Sequence, residues 1–191
     1  QHIDLMNSQP VENIIQIRYK QATITGTYDV AHQFLLDNQI QDSKVGYFVL
    51  TPFKLKNTNK AILVNRGWIP LIEPRTTLPD VSLQSQHSEI TLTGRVNAFP
   101  RVGIKLDGAT QPTQTQPAIV QVVDNIVLSK QLGYDLLDFQ LELSPDSADG
   151  YKRDWNIVIP IPPEKHLAYA LQWFGLALVL TVMFIKMALK K

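Results

Sequence analysis

The sequence predicts a mostly β domain with minor α, of the α+β class, built as an antiparallel barrel or sandwich and followed by one C-terminal transmembrane helix. Three observations carry this expectation. Short runs of β-branched and aromatic residues recur between glycine and polar breaks, a single stretch carries helix-capping residues, and 19 consecutive residues from Leu167 to Ile185 lack a formal charge.

In chain order, Gln21 to Val30 and Val45 to Phe53 read as strands, with Gly26 and Gly46 interrupting them. Ala61 to Trp68 (AILVNRGW) is a stronger strand, and the polar tract Lys56 to Lys60 makes a hairpin of it with its predecessor. Ile90 to Val96 alternates, and Ala118 to Val123, Phe139 to Leu143 and Trp155 to Ile161 add further strands. One helix is expected between Asp124, a good N-cap, and Gly133, a C′ stop. Glu73 to His87 and Gly108 to Gln116 are rich in Pro, Thr, Gln and Ser and read as mobile surface loops. Pro160, Pro162 and Pro163 stiffen the exit from the last strand.

The uncharged stretch spans about 28 Å as a helix, one hydrocarbon core. Tyr169, Trp173 and Phe174 gather at its start as an aromatic belt, and Lys186, Lys190 and Lys191 close its end. Positive charge is retained on the cytoplasmic or matrix side, so the residues before His166 belong on the other side. The expected organisation is an extracytoplasmic β-rich domain over 1–165, a transmembrane helix over 166–189 and a short tail at 190–191. The chain begins at Gln1 with no apolar signal core in its first thirty residues, so an upstream anchor or export signal is expected to be missing from it.

Charge and composition exclude several functions. The net charge is +1, and without the three terminal lysines residues 1–165 carry −2, so the domain has no basic footprint for nucleic acid. Cysteine is absent, which removes disulfides and thiolate metal sites. No nucleophile elbow, HExxH, phosphate loop or GxGxxG is present, and no nucleophile, base and orienting carboxylate fall at recognisable spacing; the chain reads as a non-enzyme. His2, His32 and His87 are scattered without ligand spacing and need no function.

His166 differs by position, where the proline-rich exit meets the membrane helix. On a helix of 3.6 residues per turn it shares one face with Tyr169, Ala170, Trp173, Ala177, Leu180 and Phe184. That face of small and aromatic residues can accept a flat macrocycle, with His166 as axial ligand to its iron and Trp173 against the ring. The plainer reading is an interfacial histidine beside belt aromatics. Arg66 has two readings as well. As part of an Asn65-Arg66-Gly67 turn it pairs with a carboxylate while Trp68 fills the core; as a ligand-binding group its bidentate guanidinium holds a haem propionate or a partner's acidic side chain. Arg95 and Arg101 flank Pro100 and admit the same choice.

The ordered set GTYD (Gly26 to Asp29), GYFVLTPF (Gly46 to Phe53), ILVNRGWIP (Ile62 to Pro70), GRVNAFPR (Gly94 to Arg101) and HLAYALQWF (His166 to Phe174) resembles the Surfeit locus protein 1 family over most of the chain. VNRGW and HxxYxxQWF are specific in this combination and order. The resemblance implies a cytochrome c oxidase assembly factor of the bacterial cytoplasmic membrane or mitochondrial inner membrane, with its domain facing the periplasm or intermembrane space. It implies haem a as cofactor, with the family's haem-associated histidine falling on His166. It implies the oxidase core subunit as partner, with haem a synthase a further expected one. Family members normally carry two transmembrane helices around the β-rich domain, and this chain shows the second. Two accounts of the function stay open: a haem a carrier delivering cofactor to the core subunit, and a scaffold that stabilises an oxidase intermediate by protein contacts alone.

Overall fold

The computed structural model describes residues 2–4, 14–75, 77–83, 88–100, 108–155 and 163–190, with the backbone alone for 2–4, 163 and 164. Two units are distinguished, residues 1–155 and 156–191. The first holds strands β1 (His2–Asp4), β2 (Gln21–Tyr28), β3 (Phe34–Gln41), β4 (Lys44–Leu55), β5 (Lys60–Pro70), β6 (Ile90–Ala98), β7 (Ala118–Val120) and β8 (Asp135–Leu143), with helix α1 (Asn125–Leu132). The second holds one helix, α2 (Pro163–Ala188).

Five strands close a barrel. β2 pairs with β6, β6 with β8, β8 with β5, β5 with β4, and the far half of β4 returns to β2 through Gly26↔Leu55 and Tyr28↔Phe53. Every ring pair is antiparallel except β5–β8. The third and fifth ring strands thus lie side by side in parallel, the Greek-key connectivity of an OB-type barrel. β3 and β7 extend the sheet from the near half of β4, and β1 extends it from β2.

The apolar run of β5 is explained by burial on both faces. Ile62 and Val64 point into the barrel with Ile24, Phe53, Val96, Phe139 and Leu141, whereas Ala61 and Leu63 pack outward on Phe34, Leu36, Leu50, Val120 and Leu128. The β3–β7 flap and α1 therefore cover the outer face of β4–β5, the face on which OB barrels bind oligonucleotides. At the closure seam Gly26 meets the Lys54 carbonyl so closely that no side chain fits between them.

The capping expectations for α1 hold: the Asp124 side chain accepts from the Ile126 and Val127 amides at 3.1 and 3.2 Å, and Gly133 adopts φ 76°. Other expectations need correction. β3 is an additional strand whose pattern is broken by a bulge at Asp37–Asn38, where Asn38 takes φ 59°. Asn65-Arg66-Gly67 forms a bulge within β5, because Phe48 pairs with Trp68 and Leu50 with Asn65, with Gly67 at φ 115° taking up the extra residue. The segments read as surface loops are partly built into the fold. Val81 and Leu83 are buried, as are Ala109 and Thr110, and the Thr113 amide donates to Ile119 at 3.0 Å. The strand expected over Trp155 to Ile161 falls, apart from Trp155, outside the described residues, as do His87 and Arg101.

Candidate functional site

α2 opens at Pro163, where the ring's lack of an N–H costs no hydrogen bond, and runs 26 residues, about 39 Å. Within Lys165–Ala188 an 18-residue window reaches a mean hydropathy of 1.9 and none of it is buried, so the helix is long and apolar enough to cross a membrane. Its periodicity places His166, Tyr169, Ala170 and Trp173 on one face within two turns. Tyr169 and Trp173 are exposed at 54% and 70%, and among the described residues His166 engages in no hydrogen bond or ion pair. An imidazole, a small side chain and two aromatic rings thus share one face of the helix.

Arg66, the fourth residue singled out by sequence, lies in the barrel unit and is 2% exposed. The β5 bulge turns it inward. Its Nη1 donates to Gln33 Oε1 at 2.9 Å and to the Val81 carbonyl at 2.8 Å, its Nε donates to the Asp149 carbonyl at 2.8 Å, and its guanidinium lies 5.2 Å from the Tyr151 ring centre. The carboxylate expected as its partner is replaced by neutral oxygens from three separate segments. Burial lowers its pKa, opposed by Tyr151, Tyr28 and Asp149. The Tyr28 hydroxyl, buried and without a hydrogen-bond partner among the described residues, is pushed upward by burial. Gln33 and Val81 also line a cleft of about 380 Å³ with Val30, Leu78, Gln116 and Pro117, so Arg66 braces the walls of that cleft from behind.

Another polar cluster escaped the sequence reading. Asp29, at the end of GTYD, accepts from the Tyr134 hydroxyl at 2.7 Å and from His32 Nδ1 at 3.1 Å, and lies 3.4 Å from Lys54 Nζ. Burial alone raises the Asp29 pKa, but the hydrogen bonds from Tyr134 and His32 and the charges of His32 and Lys54 outweigh it, and the net shift is downward. Tyr134 is pushed up by burial and by its bond to Asp29. Asp29 therefore ties the end of β2 to the α1–β8 connection. Arg95 resolves differently from a solvated charge: its Nη2 meets Glu142 at 2.7 Å in a part-buried pair that also takes the Asn97 amide. Among the described residues no group of three or more His, Cys, Asp or Glu is placed to hold a metal ion.

The SURF1 family profile matches residues 2–178, which takes in the whole barrel unit and the His166–Trp173 face. The chain belongs to the SURF1 family. Curated SURF1-like proteins agree. One from Rickettsia felis is 26% identical over 194 residues, covering 93% of this chain and 79% of that protein. One from Rickettsia bellii is 29% identical over 192 residues, covering 87% and 67%. One from Caenorhabditis elegans is 29% identical over 174 residues, covering 83% of this chain and 46% of the relative, so the chain spans about half the length of that SURF1-like protein. SURF1 membership thus joins two sets of residues under one profile, the Arg66-braced barrel and the exposed aromatic face at the start of α2.

Proposed function

We propose that this protein is a membrane-anchored assembly factor for cytochrome c oxidase that binds haem a through the start of α2 and assists its delivery to the oxidase core subunit. The observation that carries the reading is that the SURF1 match runs through residue 178 and so includes His166 and its exposed aromatic face. Those residues fit the group. His166 has no competing partner among the described residues, Ala170 lets a flat ring approach the helix, and Tyr169 and Trp173 offer aromatic surface beside it. When bound, haem a supplies a redox-active iron. The chain's own work is to present an imidazole and to keep the macrocycle against an apolar helix face.

The anchor is α2, with Lys186, Lys190 and Lys191 on the cytoplasmic or matrix side and the barrel in the periplasm or intermembrane space. Haem a synthase is a natural donor to such a site and the oxidase core subunit the acceptor. The role is assembly rather than catalysis. Purification from cells that make haem a, followed by an absorbance spectrum and pigment identification, tests the reading. Co-purified haem a at a defined stoichiometry is expected. Pigment-free protein that still supports full oxidase assembly sinks haem binding and leaves a scaffold acting by protein contacts alone.

A further inference from the structure

The β3–β4 hairpin turns at Asp42 and Ser43, both at positive φ (47° and 61°), the geometry of a two-residue type I′ turn. Ile40 and Val45 are cross-strand partners behind that turn and so project from one face of the hairpin. The Leu71 amide donates to the Val45 carbonyl at 3.1 Å, and Ile72 is the next residue along the chain. Ile40, Val45 and Ile72 are exposed at 69%, 42% and 41%. Single exposed aliphatics are ordinary on a soluble surface, but a paired Ile40 and Val45 at a hairpin tip, with Ile72 close by in the chain that follows β5, make an apolar patch that a water-excluding partner would cover.

The chain itself indicates which partner. Lys152 pins the turn by bonding the Asp42 carboxylate, which leaves the exposed Lys44 beside the aliphatic group, and its backbone bridges to Trp68. From Lys152 to Pro163, the first residue of α2, is 11 residues, a contour of at most about 40 Å. Whatever course those residues take, the hairpin pole is leashed to the start of an apolar helix of membrane length. β4 runs 12 residues, roughly 40 Å, to the opposite turn at Lys56–Asn59, which has no such group of exposed aliphatics.

We propose that Ile40, Val45 and Ile72 seat the barrel on the bilayer surface, sinking into the boundary between headgroups and acyl chains while Lys44 reaches back to lipid phosphates. The proposal rests on α2 spanning the membrane, and the test separates the two. The chain has no cysteine, so single cysteines can be introduced without altering a native thiol. Ser43→Cys, Asn59→Cys and Leu178→Cys, each carrying an environment-sensitive fluorophore, are placed in the full chain in vesicles of phosphatidylcholine with a minor share of phosphatidylglycerol. Lipids bearing a spin-label quencher near the headgroup or deep in the acyl chain are then added. The label at 178 is expected to be quenched from deep positions, the label at 43 from headgroup-proximal positions, and the label at 59 by neither. Ile40→Ser with Val45→Ser, introduced beside the label at 43, is expected to reduce its quenching at least twofold. Deep quenching at 178 with equal accessibility at 43 and 59 overturns the seating while leaving the anchor intact. An unquenched label at 178 overturns the anchor and the seating together.

Discussion

Arg66 Nη1 donates to Gln33 Oε1 at 2.9 Å, a bond between a buried cation and a neutral amide where a carboxylate was expected. The same guanidinium holds the Val81 and Asp149 carbonyls, so one side chain from the β5 bulge fastens three separate segments of the chain. Lysine cannot reproduce that fork. Arg66→Lys is expected to destabilise the protein by about 3 kcal/mol, read as an earlier urea midpoint by tryptophan fluorescence in detergent without haem. A haem-dependent loss with unchanged stability of the haem-free chain would place the residue on the ligand instead.

Asp29 makes a testable contribution to acid stability. Its folded-state pKa lies below the ordinary value near 3.8, so the stability it contributes is fully present above that value and is lost as pH falls through the lower folded-state value. Asp29→Asn keeps the shape but loses the charged acceptor of Tyr134 and His32. It is expected to cost about 1–2 kcal/mol at neutral pH and to flatten the fall in urea midpoint between neutral and strongly acid solution. An undiminished acid dependence in the variant assigns that fall to other carboxylates.

The parts of this architecture that were legible in the sequence are those written locally. Asp124 and Gly133 mark α1 because capping acts within one turn, and the α2 face of His166, Tyr169 and Trp173 follows from helical period alone. β3 was hidden because its apolar start, Phe34–Leu36, runs into a polar bulge that breaks the alternation. Asn65-Arg66-Gly67 suggested a turn because a bulge and a turn demand the same residues at positive φ. Val81 sits in a Pro- and Asp-rich stretch whose anchor is Arg66, 15 positions away, and the Asp29–Tyr134 bond joins residues 105 positions apart. Such long-range polar contacts leave no periodic signal.

Barrel closure is expected to be intolerant at its tightest point. A Cβ at Gly26 would run into the Lys54 carbonyl and lie 2.9 Å from Phe53 Cε1, and the backbone oxygen cannot turn aside without breaking the β2–β4 pairing. Gly26→Ala should therefore cost about 3 kcal/mol or more. Gly175→Ala on α2 meets open space and serves as the matched control. Equal thermal midpoints for the two variants would contradict the closed seam.

Orientation is checked with the same cysteine-free background. A cysteine at exposed Asn59 should react with a membrane-impermeant maleimide in intact spheroplasts, and one at Lys190 should react only after permeabilisation. The reverse pattern would overturn the placement of the barrel outside the cytoplasm.

His166 provides the sharpest test of the proposed haem site. Its side chain is exposed and unpaired among the described residues, so His166→Ala opens no cavity and orphans no partner. Stability should change by no more than about 0.5 kcal/mol, and abundance in the membrane should stay near that of the unmodified chain. In the proposed site the imidazole would hold the haem iron, so the same variant is expected to lose or shift the Soret band. Trp173→Ala removes ring contact but not the ligand and should weaken binding less, with Tyr169→Phe weaker still because the ring surface is kept. The order His166, Trp173, Tyr169 distinguishes an iron ligand from a belt residue, since an interfacial anchor would follow apolar area and put Trp173 first. If His166→Ala retains an unaltered spectrum at normal stoichiometry, the iron ligand is not on this face of α2.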